Sequence, residues 1–140
     1  MKRINDYCQH TIVKDLVLIG GSHSHAIVLR MFGMKPLPKV RLTLITANQK
    51  TADGMLPGQV AGFNSHDECH IDLRTLANFA QAQLYINKVV ALDWENNKVV
   101  CANGLAVDFD VLSIDIGSTP ATVSVSGAAE YAIAAIGTLI

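Results

Sequence analysis

Asp15-Leu16-Val17-Leu18-Ile19-Gly20-Gly21-Ser22-His23-Ser24-His25 is the stretch that decides the fold. Four consecutive apolar residues, Leu16 to Ile19, leave no polar face, as expected of a strand covered on both sides in a parallel sheet. The run stops at Gly20-Gly21, which reads as a tight turn. From Ser24 onward Ala26, Ile27, Val28, Leu29, Met31, Phe32 and Met34 form a helix so apolar that it should be covered on most sides, and Pro36 and Pro38 end it. Val40 to Ile45 returns to β-forming residues, and a helical connection of this length makes that strand parallel to the first. Strand, glycine turn, helix and strand together are a βαβ unit.

A helix that starts directly after such a turn presents free backbone N–H groups and the positive end of its dipole, which together form an anion site. Measured against the dinucleotide fingerprint G-x-G-x-x-G/A, Gly20 holds the tight-turn position. Ser22 stands where glycine would let backbone approach a pyrophosphate, and His25 replaces the last glycine. The acid that would grip a ribose at the end of the second strand is also missing. Ile45 is followed by Thr46, Ala47 and Asn48, of which Thr46 and Asn48 can hydrogen-bond a sugar more weakly. The residues alone therefore leave two readings open, a nucleotide site and a purely structural glycine turn.

Working outward, Thr46 to His70 contains Gly54, Pro57, Gly58 and Gly62 without periodicity and is expected to be a ligand-facing loop. Asp72 can cap a helix whose stripe is Leu73, Leu76, Ala77 and Ala80. Leu84 to Ile86 is a third strand. Val89 to Leu92, Lys98 to Cys101 and Leu105 to Val107 are short strands joined by Asn96-Asn97 and Asn103-Gly104, an antiparallel meander inserted in an α/β domain. Phe109 to Ile116 is a returning buried strand that ends at Gly117-Ser118-Thr119-Pro120.

The 140 residues suffice for one domain with a core. Half are apolar and 16% charged, with a formal net charge of -1, so no basic excess points to nucleic acid. Cys8, Cys69 and Cys101 are too widely spaced for a disulfide framework or a C-x-x-C pair, which fits a reducing compartment. No targeting run and no apolar span of ~18 residues is present, so a cytoplasmic location is expected, with peripheral membrane association as a second option. His23, His25, His66, Cys69 and His70 do not have the paired spacing of a metal site, and none is expected. Cys69 and Cys101 read as small buried residues, Trp94 as a packing residue, and Asp115 as a strand-end acid beside the ligand or in solvent.

Val17 to His25, Gly54-Met55-Leu56-Pro57-Gly58 and Asp110 to Ser118 carry a family likeness in addition. Asp15 to Pro120 resembles the FAD domain of the pyridine nucleotide-disulfide oxidoreductase superfamily. Within it, the three motifs look like those of the type-II NADH dehydrogenase-like flavoprotein found fused ahead of selenide, water dikinase. The resemblance implies a Rossmann-like fold and a non-covalent FAD. It places the pyrophosphate on Gly20, Gly21, Ser22, His23, Ser24 and His25, and the flavin ring beside Gly54, Met55, Leu56 and Pro57. A further contact would come from Gly117, Ser118 and Pro120.

The resemblance implies hydride transfer from NAD(P)H to the flavin, with no side chain required as acid or base, so no catalytic residue is named. The chain departs from the wider superfamily in lacking paired redox cysteines, and the inserted NAD(P)H domain is not in it. The division expected is an extension at 1–14, a partial FAD domain at 15–120 and a tail at 121–140, with a separate chain or self-association supplying the missing half. Two alternatives stand beside this reading. One is a non-enzymatic remnant or interaction module with a βαβ core, and the other is an adenine-nucleotide-binding protein of another class.

Overall fold

The computed structural model describes residues 14–52, 56–65, 68–116 and 125–131. Along the chain run β1 (Lys14–Ile19), α1 (His23–Met34), β2 (Val40–Thr46), β3 (Lys50–Ala52), α2 (Leu56–Val60), β4 (His70–Asp72) and α3 (Leu73–Phe79). They are followed by β5 (Gln83–Ile86), β6 (Val89–Asp93), β7 (Lys98–Cys101), β8 (Ala106–Asp108), β9 (Val111–Ile114) and α4 (Ala128–Tyr131). Four strands form a parallel sheet in the order β5-β2-β1-β9. The antiparallel β6-β7-β8 meander is a separate sheet. This is a Rossmann-like α/β fold.

Alternation along the central strands explains their unbroken apolar runs. Leu18, Leu42 and Leu44 face one way and pack with Ala26 and Leu29 of α1 and Leu73 of α3. Val17, Ile19 and Ile45 face the other way and pack with Val99 and Cys101 of the meander. Each face is covered by a different layer, so neither can be polar. Cys69 and Cys101 are buried, as expected of small apolar fillers, and burial pushes the Cys101 thiol up.

Asp72 caps α3 as expected, its carboxylate accepting from the Arg74 amide at 2.9 Å. That hydrogen bond is the first cause holding Asp72 below the usual carboxylate range. The meander turns carry Asn97 at φ 52° and Gly104 at φ +84°, left-handed positions that asparagine and glycine tolerate. At the other end of the sheet Arg41 clasps Asp15, with Nη2 donating to Oδ2 at 2.8 Å, and Asp110 accepts from the Asp15 amide at 2.7 Å.

Four expectations need correction. Residues 46–70 are not a plain loop, because β3 pairs antiparallel with β4 and α2 lies between them. Alternation over three residues is too short to read from sequence. Helix α1 is not covered on most sides: Ile27, Met31 and Met34 are 59%, 59% and 61% exposed, since α1 packs only on the sheet and on α3 among the described residues. The returning strand is shorter than Phe109 to Ile116 and lies at the sheet's edge among the described residues, with Val111, Ile114 and Ile116 exposed. Trp94 is 63% exposed and touches Phe109 edge-on, with ring centroids 6.2 Å apart, so its packing role is slight.

Candidate functional site at the C-terminal edge of the parallel sheet

All four parallel strands end on one edge, where Gly20 follows β1, Asn87 follows β5, Asp115 follows β9, and Thr46 closes β2. Strand β1 lies between β2, reached through α1, and β9, reached from the meander. The connections thus leave β1 toward opposite sides. In open α/β sheets a crevice for ligands forms at such a reversal.

The glycine turn is built by contacts that exclude side chains. Gly20 has φ +94°, and a Cβ there would collide with the Asp115 carbonyl oxygen. Gly21 has no such torsion, yet a Cβ on it would meet the Leu73 side chain and come to 2.9 Å from Thr46 Oγ1. Backbone hydrogen bonds then tie the turn across the sheet edge, from Gly20 N to Ile45 O and from Asp115 N to Ile19 O, each 2.8 Å.

Ser22 is the N-cap of α1, at φ -82° and ψ -173°, and its side chain makes no capping hydrogen bond. Ordinary φ means that the fold does not require glycine at Ser22, so a glycine there in the fingerprint answers to the ligand alone. The first turn of α1 carries no acidic residue. A 12-residue helix thus begins at the crevice without a capping hydrogen bond from Ser22 and with the Asp115 carboxylate beside its first turn; a helix start of this length at a crevice is an arrangement that receives phosphate.

His25 is 1% exposed and lies under the turn. Its Nδ1 is 2.7 Å from the Gly20 carbonyl oxygen and its Nε2 is 2.9 Å from Ser113 Oγ. A carbonyl only accepts, so Nδ1 donates to Gly20, while Nε2 and the Ser113 hydroxyl hydrogen-bond each other. The imidazole thereby fastens the glycine turn to β9. Its size explains why glycine is not needed at that position: the helix and the sheet are spaced by a ring with two partners.

Of the other residues singled out from sequence, Ser24 and His23 are exposed on the first turn of α1. His23 borders a hollow of about 250 Å³ between α1 and the β4–α3 segment, with Ala26, Ile27, Arg30, Ile71 and Leu76. Thr46 is buried, and its hydroxyl donates to the Asn48 carbonyl at 3.0 Å and accepts from the Asn48 amide at 3.3 Å. Thr46 therefore shapes the turn after β2, while the exposed Asn48 stands at its lip. Gly54, Met55, Gly117, Ser118 and Pro120 lie outside the described residues, as do the side chains of Leu56 and Pro57. His66 also lies outside them. Among the described residues no group of three His, Cys, Asp or Glu can hold a metal ion.

Asp115 is the residue that sequence reading undervalued. Its Oδ2 is buried and has no hydrogen-bond partner among the described residues. The Ser22 hydroxyl foremost, then Ser24 and the nearby His25, hold its carboxyl below the usual range against the opposing effect of burial. The strand order, β9 beside β1, is what brings a residue 93 positions from Ser22 to the same crevice.

Compared by sequence, the chain matches no family model and no curated protein. Compared by structure, it is similar to sulfide:quinone oxidoreductase from Aquifex aeolicus at TM-score 0.64 and 21% identity, over 76% of this chain and 25% of that one. It is similar to the ferredoxin reductase of the CYP199A2 system from Rhodopseudomonas palustris at TM-score 0.64 and 17% identity, over 82% and 29%. It is also similar to a water-forming NADH oxidase from Lactobacillus brevis, in a structure with NADH bound, at TM-score 0.61 and 15% identity, over 77% and 26%.

The fold is that of the Rossmann-like FAD- and NAD(P)-binding domains. This Rossmann-like domain spans between a quarter and a third of the length of each of these proteins.

Proposed function

We propose that the chain is the FAD-binding portion of an NAD(P)H-dependent flavin oxidoreductase of the pyridine nucleotide-disulfide oxidoreductase superfamily. Within that superfamily we place it nearest the type-II NADH dehydrogenase-like flavoprotein found fused to selenide, water dikinase. The observation that carries the reading is the start of α1 on the Gly20-Gly21 turn, at the reversal point of a parallel sheet backed by a three-stranded meander. The sulfide:quinone oxidoreductase, the ferredoxin reductase and the NADH oxidase, which share the fold, support this reading.

The residues present fit a dinucleotide in three respects. The Gly20-Gly21 turn is kept slim, at Gly20 by the Asp115 carbonyl and at Gly21 by the Leu73 and Thr46 side chains, α1 starts directly after it, and Thr46 and Asn48 end β2 where a ribose is read. Gly20, Gly21, Ser22 and Ser24 would hold the pyrophosphate, with Asn48 toward the adenosine half. His25 holds the turn from beneath. The segments containing Gly54, Met55, Leu56 and Pro57, and Gly117, Ser118 and Pro120, would border the flavin as the motif likeness implies.

A bound flavin supplies hydride acceptance and onward electron transfer, and this chain's own residues bind and orient it. NAD(P)H as donor, the final acceptor and a partner half supplied by a further domain or chain belong to the same proposal.

Reconstitution with FAD, removal of excess and an absorbance spectrum test it. Retained flavin peaks support the proposal. A colourless protein that adenine nucleotides still protect against heat would favour the nucleotide-binding alternative, since a ligand bound only by the folded state raises the melting point. A folded protein indifferent to both would favour an interaction module.

A further inference from the structure

We infer that the hairpin tip Asp93-Trp94-Glu95 of one chain docks in the hollow beside α1 of a second copy, so that copies join head to tail. The hollow, about 250 Å³, is walled by Ala26, Ile27, Ile71 and Leu76 and completed by His23 and Arg30, both exposed. Its walls are apolar and Arg30 makes it cationic. The occupant that suits it is one large apolar group with a negative charge beside it.

The chain carries such a group on its other face. Trp94, the one tryptophan of the sequence, is 63% exposed, and its ring contact with Phe109 is edge-on. It stands on the hairpin between β6 and β7, where the Asp93 carboxylate accepts from Asn96 N at 3.1 Å and from Asn96 Nδ2 at 2.8 Å and so holds the tip in shape. Acids flank it on both sides in the chain, Asp93 and Glu95. A rigid, exposed tryptophan of this kind is the side chain that most often anchors an interface.

Charge agrees with shape. Residues 23–39 contain Arg30, Lys35 and Lys39 and no acid, whereas residues 89–108 contain Asp93, Glu95 and Asp108 against Lys98, which pairs with Asp108 at 3.4 Å. Arg30 and Glu95 are both exposed, and neither forms an ion pair among the described residues. In the hollow the indole face would lie against the Arg30 guanidinium, and Glu95 would meet the same cation. Tip and hollow cannot meet within one chain, because the helices and the meander cover opposite faces of the parallel sheet. Two copies joined through their α1 faces would instead set cations against cations. Since each copy offers one tip and one hollow, a chain of copies can grow or close into a ring. The contact lies outside the Gly20-Gly21 turn and stands whether or not the chain holds FAD.

Sedimentation velocity of the full chain across a concentration series, with Trp94 fluorescence alongside, tests the contact. Wild type is expected to grow beyond a monomer as concentration rises, with Trp94 emission moving to the blue as the indole leaves water. Trp94→Ala and Arg30→Glu should each weaken association about tenfold or more, with melting curves like that of wild type because both side chains are exposed. Trp94→Ala keeps its hollow and Arg30→Glu keeps its tip, so a mixture of the two should give a one-to-one dimer that grows no further. A chain carrying both Arg30→Glu and Glu95→Arg should regain association, since the pair is restored with its signs exchanged.

Association of Trp94→Ala equal to that of wild type would overturn the inference and leave the α1 face or the β9 edge as the contact. A mixture in which both variants stay monomeric would overturn it as well. So would a monomeric wild type; if that monomer sediments with phosphatidylserine vesicles and Arg30→Glu does not, the hollow faces an anionic lipid surface instead. Should Trp94→Ala melt well below wild type, Glu95→Arg takes its place, and its mixture with Arg30→Glu should associate where neither variant does alone.

Discussion

At the residue scale, Gly20 and His25 do opposite things to the same turn. Gly20 is required by its own torsion and by the carbonyl of Asp115 above it, so Gly20→Ala is expected to cost about 2 kcal/mol or more and to lower Tm by roughly 5 °C or more. A melt indistinguishable from wild type would contradict that geometry. His25→Leu fills the space but strands the Gly20 carbonyl and the Ser113 hydroxyl, which should cost about 1–3 kcal/mol in thermal or denaturant unfolding. The glycine turn itself was legible in the sequence, because an apolar run that ends in two glycines before a helix has few other readings. The part played by His25 was not. Its partner Ser113 is 88 residues away, and only the strand order joins them.

At the element scale, the β1-α1-β2 unit, α3 with its Asp72 cap and the meander were all legible, since each rests on local periodicity or turn chemistry. The β3–β4 pair was hidden because three-residue strands carry almost no pattern, and the exposure of α1 because apolar composition alone does not say which faces find a neighbour. The Asp72 cap has a pH signature. The Arg74 amide lowers the folded-state pKa of Asp72, so its contribution is fully present above the ordinary carboxylate value of about 4 and is lost as pH falls through the lowered value. Asp72→Ala should therefore lower Tm by a few degrees at neutral pH, with the gap to wild type closing in strong acid. A gap that is constant with pH would mean that the carboxylate charge does not contribute.

At the scale of the whole molecule, two exposed apolar regions stand out among the described residues: the Ile27, Met31 and Met34 face of α1, and the β9 edge with Val111, Ile114 and Ile116. An unpaired strand edge and an exposed apolar patch both favour association. Purified chain is expected to associate with rising concentration in size-exclusion chromatography. Ile27→Glu with Met31→Glu should reduce that association with little change in Tm, because neither residue is buried. A monomer at every concentration would count against these regions as association surfaces. No helix among the described residues is long and apolar enough to cross a membrane.

The central claim is that the glycine turn at the reversal point of the sheet holds FAD, and retention of flavin by the purified chain tests it most directly. After incubation with FAD and gel filtration, the protein peak should carry flavin absorbance at close to one FAD per chain, and Gly20→Ala should abolish it. A folded, cooperatively melting protein that elutes colourless, and whose Tm does not move with FAD, would contradict the account.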